Sequence, residues 1–403
     1  MLRFSRVGSW SLWIMKSMCV DRLLLMVVML LAAPCGLIAD DSGGGSLRWR
    51  IGVEAEPAWV PPTNSYFKTR GVGESLAGAL KADFRFDGGS RIGRMYPGLY
   101  HGVGVGGRCF SSGAAMGAPV SAFIYQGAPF ARLGRRVTVG YEWQFGAAFG
   151  WRHGRTDVNP AVSTCVTAHM GVGVRMHYSL TRAWQLMAGV QLTHFSNGNT
   201  SYPNAGVNSL GVTVGAAYRI GSVSDDGGEG AALPVVNAEA GRRRWHYDVV
   251  AYGAWRKRAL MLGGSPQLCP GRFGVAGLQF APLYCLNRYV GVGPSLDVQY
   301  NESSGLARYW VEGTVGSNLR FYRPPFVRQL SAGLSAHAEL TMPLFALNIG
   351  LGYDLLSPEG ERRFYQSLTL KAFVGRRLFL NVGYRLGRFQ DPQNLMLGVG
   401  VRI

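Results

Sequence analysis

The sequence predicts an all-β protein, an antiparallel transmembrane β-barrel, on three observations. Segment after segment alternates apolar with polar or glycine residues, the N-terminus carries an export signal, and the composition is rich in glycine and aromatics but poor in charge. Charged residues make up 16% of the chain, against roughly 25% in soluble domains. Glycine, at 57 of 403 residues, is about twice as frequent as usual. With 47% hydrophobic and 12% aromatic residues, there is ample material to bury, which excludes disorder, collagen and coiled coil. The formal net charge of +18 raises the question of nucleic acid. No Lys/Arg run exceeds three residues and most basic residues are spread singly, so no nucleic-acid partner is expected.

The first element is a secretory signal. Leu23 to Ala33 is an unbroken apolar run preceded by Lys16 and Arg22. It is too short to span a bilayer, which takes about 20 residues, and it has the layout of a cleaved signal peptide covering residues 1–39, with Ala39 last. After Asp40 no apolar stretch is long enough for a membrane helix. Four cysteines follow, Cys109, Cys165, Cys269 and Cys285. They lack the paired spacing of a zinc site and are too few for a disulfide scaffold, so no metal or other cofactor is expected.

Strands follow in order near 46–56, 78–87, 99–110, 119–129, 136–150, 162–178, 183–196 and 208–220. The fifth is typical: Val137, Val139, Tyr141, Trp143 and Phe145 interleave with Thr138, Gly140, Glu142, Gln144 and Gly146. A period of two gives each strand one apolar face. In an outer-membrane barrel that face meets lipid and the polar face meets the lumen; an exported soluble sandwich is the alternative. Residues 221–243 break the pattern with polar and charged residues and read as a linker. About eight more segments run from 244 to 403, where Leu395, Leu397, Val399, Val401 and Ile403 alternate with Met396, Gly398, Gly400 and Arg402. The expected organisation is therefore an eight-stranded first unit over residues 40–220, the linker, and a second β-barrel-like half over 244–403. A single barrel of about sixteen strands is the alternative.

One constellation suggests chemistry. The apolar face Trp184, Leu186, Ala188, Val190, Leu192 continues into His194 and Ser196. The face Leu210, Val212, Val214, Ala216, Tyr218 of the next strand begins at Asn208. All three polar residues thus share the outward face of two adjacent strands. The preceding connection, Ser179 to Arg182, is short as periplasmic turns are, whereas Asn197 to Val207 is longer and belongs outside. A polar trio on the lipid-facing wall near the outer leaflet suits a lipid substrate.

The local sequence His194-Phe-Ser-Asn-Gly198, followed by Tyr202-Pro-Asn-Ala-Gly-Val-Asn208, resembles the outer-membrane lipid A 3-O-deacylase (acyloxyacyl hydrolase) family over about residues 46–220. The resemblance implies an eight-stranded outer-membrane barrel with a serine esterase site facing the membrane. Its substrate would be lipid A of outer-leaflet lipopolysaccharide, from which it removes an ester-linked 3-hydroxyacyl chain without a cofactor. Carried over, Ser196 is the nucleophile and His194 the general base, while Asn197, Gly198 and Asn204 are candidate oxyanion donors or loop formers. The sequence departs from the family at Asn208, where members with a full triad have glutamate. An asparagine oxygen can still orient a histidine, as in Cys-His-Asn proteases, but brings no charge to stabilise the imidazolium. The competing expectation is a non-catalytic barrel, either a porin or a lipopolysaccharide-binding scaffold with a degenerate site.

Overall fold

A computed structural model describes residues 47–62, 65–86, 90–152, 161–220, 244–262, 265–311, 320–358, 361–375, 377–387 and 391–403. The expected signal peptide and linker lie outside the described residues. The chain forms two compact units, one around each of two closed antiparallel barrels of eight strands. Two closures rule out a single sixteen-stranded barrel. No described helix is long and apolar enough to cross a membrane.

The first barrel is built from β1 (Leu47–Trp59), β2 (Glu74–Phe86), β3 (Tyr100–Phe110), β4 (Gly117–Leu133), β5 (Val137–Trp151), β6 (Val166–Ser179), β7 (Trp184–Ser196) and β8 (Val207–Ile220). Each pairs with its sequence neighbour, and β1 closes on β8 with Ile51 opposite Tyr218 and Ala55 opposite Val214. Side-chain parity follows the alternation in the sequence. Val53, Leu80, Val105, Val174, Val190 and Val212 are exposed on the outer wall. Trp184 and Tyr218 stack edge to face (5.3 Å) at one rim, the interfacial position favoured by such rings.

The lumen is filled. Lys81 sits between Glu142 (2.6 Å) and Glu54 (3.2 Å), and Arg175 between Glu54 (3.0 Å) and Glu142 (3.3 Å). Arg50 grips Asp83, and Arg108 bonds Glu56 and Ser75. Buried charges are tolerated only when paired in this way. His177 contacts Arg50 (3.3 Å), and His169 bonds Ser121 and Gln144 while stacking on Phe123. Both histidines therefore belong to the packed lumen. Glycines on facing strands make room for its large rings: a Cβ at Gly127 would lie 2.2 Å from the Tyr100 hydroxyl.

Polarity along the barrel axis comes from the connections. Residues 134–136 and 180–183 are tight turns at the end that also holds the start of β1 and the finish of β8, where one connection, 87–99, is longer and carries a short helix at Arg91–Met95. At the other end, 60–73, 111–116, 152–165 and 197–206 are longer. Short turns mark the periplasmic end of an outer-membrane barrel and long loops the external end. An apolar cluster plugs the external end, formed by Val60, Phe67 and Val72 of the first loop with Phe110, Met116, Trp151, Val162, Phe195 and Val207.

The second barrel begins with β9 (Trp245–Arg256). A small hairpin of β10 (Ala259–Leu262) and β11 (Ser265–Leu268) follows, then β12 (Phe273–Cys285) and β13 (Val290–Asn301). The two-residue pair β14 (Trp310–Val311) and β15 (Arg320–Phe321) precedes β16 (Leu330–Thr341), β17 (Phe345–Leu356), β18 (Phe364–Val374), β19 (Leu378–Gly387) and β20 (Asp391–Arg402). Closure runs through β9, which pairs with both β12 and β20. The turns at 286–289, 342–344 and 375–377 are short and lie at the end holding the start of β9 and the end of β20. Its lumen is also polar and filled: Asp297 accepts from Ser295, Gln279, Ser335 and Tyr365.

Candidate active site

The site grows out of the ends of β7 and β8. Phe195 and Val207, register partners, both point inward and are fully buried in the apolar plug. Phe195 meets Trp151 (5.1 Å, edge to face) and His169 (5.1 Å). Because successive residues of a strand point to opposite faces, the inward Phe195 gives His194 and Ser196 the outward parity, and the inward Val207 does the same for Asn208; Ser196 is nonetheless buried, at 5% exposure. His194 and Asn208 are also register partners. His194 Nδ1 and Asn208 Oδ1 are 2.6 Å apart. An amide oxygen only accepts, so Nδ1 carries the proton and Nε2 is left as an acceptor.

The loop after β7 organises the remaining groups. Ser196 Oγ accepts from the Gly198 N–H (3.1 Å) and from Asn204 Nδ2 (3.0 Å). Asn204 is a clip across the loop: its Oδ1 accepts from the Asn197 N–H (3.1 Å), and its Nδ2 also reaches Asn199 Oδ1 (3.3 Å). Asn197 donates its side-chain amide to the Ser201 carbonyl, and its own carbonyl receives the Thr200 hydroxyl. Gly198, with φ of +64°, occupies the left-handed region that suits glycine.

Each residue singled out in the sequence thus lies in this one corner of the barrel. Gly198 and Asn204 converge on the serine oxygen, whereas Asn197 shapes the loop. No hydrogen bond joins His194 to Ser196. In ligand-free sites such a bond is commonly long and tightens when substrate arrives. Sequence reasoning missed Gly206. Its φ is +72°, and a Cβ there would lie 2.8 Å from His194 Cε1 and 3.2 Å from the Phe195 carbonyl. The signal was present in the Ala-Gly-Val-Asn208 run, but only the fold shows that the imidazole rests against this glycine.

A second group of the same residue types occurs in the lumen of the second barrel. Ser335 Oγ lies 2.8 Å from His337 Nε2, and His337 Nδ1 lies 2.6 Å from Asn348 Oδ1. All three are buried, and Ser335 donates its hydroxyl to the Asp297 carboxylate (2.6 Å). The serine proton is therefore directed away from the histidine, and the group is lumen packing. Among the described residues, His246, Asp248 and Glu339 cluster as metal ligands would. Lys371 and Arg402 already bond both carboxylates at 2.6–2.7 Å, which supplies the positive charge a metal would bring.

Comparison with known proteins places this geometry in context. Residues 44–217 match the family described as lipid A 3-O-deacylase (PagL), and residues 245–403 match the acyloxyacyl hydrolase C-terminal domain. Over residues 44–217 the chain belongs to the lipid A 3-O-deacylase family. It is accordingly an outer-membrane protein, with the exposed apolar walls of its barrels in lipid. Comparison with curated protein sequences finds no match. Among solved structures it resembles the outer membrane enzyme PagL (15% identity, 41% of this chain and 97% of that one, TM-score 0.29). It also resembles Neisserial surface protein A (14%, 44% and 99%, TM-score 0.29). A third likeness is to the siderophore receptor PirA from Acinetobacter baumannii (9%, 84% and 68%, TM-score 0.24).

Proposed function

We propose that the first barrel is a serine esterase that hydrolyses the ester-linked 3-hydroxyacyl chain of lipid A in the outer leaflet. The observation that carries this reading is that His194, Ser196 and Asn208 share the outward parity of β7 and β8 at the external end of a wall that otherwise faces lipid, His194 and Asn208 half-buried and Ser196 buried. A glycolipid lying beside the barrel can present its ester at that height while its acyl chains stay in the bilayer. Ser196 Oγ attacks the ester carbonyl as His194 Nε2 takes the hydroxyl proton. The tetrahedral intermediate collapses to an acyl-serine, and His194 returns the proton to the departing sugar oxygen. Water, activated by the same nitrogen, then releases the fatty acid.

Asn208 acts as a positioning residue, holding Nδ1 protonated so that Nε2 is free. The Gly198 N–H and Asn204 Nδ2 are the candidate oxyanion donors. Both already converge on the serine oxygen, and such donors contribute roughly 10²–10³ in turnover. The reaction as written needs no metal or cofactor.

Mass spectrometry of lipid A after incubation with the purified protein tests the reading. Wild type should remove one hydroxyacyl mass, while Ser196→Ala and His194→Ala, folded by heat-modifiable gel migration, should remove none. Intact lipid A from folded wild type would instead favour a non-catalytic barrel, to which the replacement of the family glutamate by Asn208 already points.

A further inference from the structure

A second nucleophile lies at the periplasmic mouth of the second barrel, in a cluster contributed by three strands. Cys285 ends β12, His246 lies at the start of β9, and Glu339 lies near the end of β16. Cys285 Sγ is 3.3 Å from His246 Nδ1, and His246 Nε2 is 3.6 Å from Glu339 Oε1. The inward parity of β9 and β12 brings the three together, with the cysteine half-buried at the rim and the glutamate fully buried. Glu339 cannot swing away, because Lys371 and Arg402 each bond it at 2.6 Å. The same cations bond Asp248, so two carboxylates and two cations balance, leaving a fixed acceptor facing the imidazole edge.

The carboxylate, 3.6 Å away and just beyond hydrogen-bond reach, biases the tautomer through its charge. A carboxylate facing Nε2 favours the proton there, which leaves Nδ1 unprotonated and facing the thiol. The thiol hydrogen then points at a base. This is the arrangement of Cys-His-Asn hydrolases, in which one imidazole nitrogen takes the thiol proton while the other is held by an orienting side chain. A thiol is nucleophilic only as thiolate, and a neighbouring histidine is a recognised way of producing it.

We propose that Cys285 is a reactive thiol that undergoes exchange with disulfides reaching the periplasmic mouth of the second barrel. His246 takes the Sγ proton as Sγ attacks one sulfur of the incoming disulfide. The new Cys285 mixed disulfide forms as the incoming S–S bond breaks. The departing thiolate receives the proton from His246, so one disulfide and one thiol give one disulfide and one thiol. The chemical class of partner is a disulfide-bearing molecule or protein of the periplasm, an oxidising compartment in which disulfides persist.

The test uses the full chain in detergent micelles, with an aromatic disulfide as probe and peptide mapping to resolve Cys285 from the other cysteines. The groups facing His246 are Cys285, Glu339, Asp248, Lys371 and Arg402, and rates are measured from pH 6 to 9. An unassisted thiol is only about 1% ionised at pH 6.5. Cys285 should there react at least tenfold faster than a cysteine in an unstructured peptide. His246→Gln should lower that rate at least tenfold at pH 6.5 while converging with wild type at pH 9. Cys285→Ser should remove the labelled peptide, and lipid A deacylation should be unchanged in both variants. Two outcomes overturn the proposal: a Cys285 rate in the folded wild type no faster than the peptide's at pH 6.5, or one that His246→Gln leaves unaltered.

Discussion

His194 and Asn208 face one another across the β7–β8 ladder, and the 2.6 Å bond between their side chains joins register partners. The orientation of the imidazole is therefore a property of strand pairing, not of a flexible loop. In an aspartate-containing triad, changing the acid to its amide costs about 10⁴ in turnover, chiefly through the wrong tautomer. Here the amide oxygen faces Nδ1 and selects the productive tautomer, so the charge alone is missing. Asn208→Glu should raise the deacylation turnover about tenfold or more, whereas Asn208→Leu, which removes the acceptor, should lower it about a hundredfold. Single-turnover release of the hydroxyacid from purified lipid A reads both changes.

Gly206→Ala should abolish most activity while leaving the barrel folded. The added methyl would press on His194 Cε1 at 2.8 Å, at a position whose φ of +72° already disfavours a side chain. Misplacing a reacting group by about 1 Å can cost about 10² in rate. Gly71→Ala is the matched control: its φ is +66°, but a Cβ there meets nothing within 4 Å. It should show the backbone penalty of about 1–2 kcal/mol without the loss of turnover.

Phe195→Ala should destabilise the first barrel by about 3–5 kcal/mol, the usual cost of emptying an aromatic from a packed core. Phe195 fills the plug under the site and sets the outward phase of its neighbours. Activity should fall alongside stability. Urea titration of the refolded protein in lipid vesicles, followed by tryptophan fluorescence, measures the first effect.

Lys81→Met should cost about 3–5 kcal/mol by leaving Glu54 and Glu142 with Arg175 as their remaining cation among the four. The double variant Lys81→Met/Glu142→Gln should cost less than the sum of the two single changes, because it removes one charge of each sign. A coupling of about 0.5–3 kcal/mol is expected from the same unfolding titrations. A second readout of the filled lumens is electrical: in planar bilayers the protein should give no steady conductance, since eight-stranded interiors are closed by their own side chains.

Much of this architecture was legible in the sequence because a barrel wall has lipid on one side and a packed lumen on the other. The alternation around Val139 to Phe145 and Leu186 to Leu192 gave both strand and face. The eight strands of the first unit fall within a few residues of their expected bounds. The differences have causes: β2 begins at Glu74, four residues before its expected start, because Ser75 and Ala77 are small lumen residues that give the pattern little contrast. The two-stranded pairs β10–β11 and β14–β15 are absent from the expected pattern because strands of two to four residues are too short to show an alternation. Parity brought His194, Ser196 and Asn208 to one face. It could not show that Asn204 spans the loop to the serine, that Gly206 supports the histidine, or that Cys285 and Glu339 meet at His246. Those depend on contacts between side chains far apart in sequence or on loop geometry.

The opposed directions of Phe195 and its two neighbours have an evolutionary corollary. Along β7 an insertion or deletion of one residue between Gln191 and Ser196 would exchange the two faces, bringing the phenyl ring into the bilayer and the polar pair into the plug. Only changes in steps of two would preserve both, and each such step would also move the site about 7 Å along the tilted strand, or about 5 Å in depth. The depth at which this barrel meets a glycolipid is thus quantised by the strand repeat. Relatives acting at another height must alter the wall by whole pleats or reshape the loop beyond it.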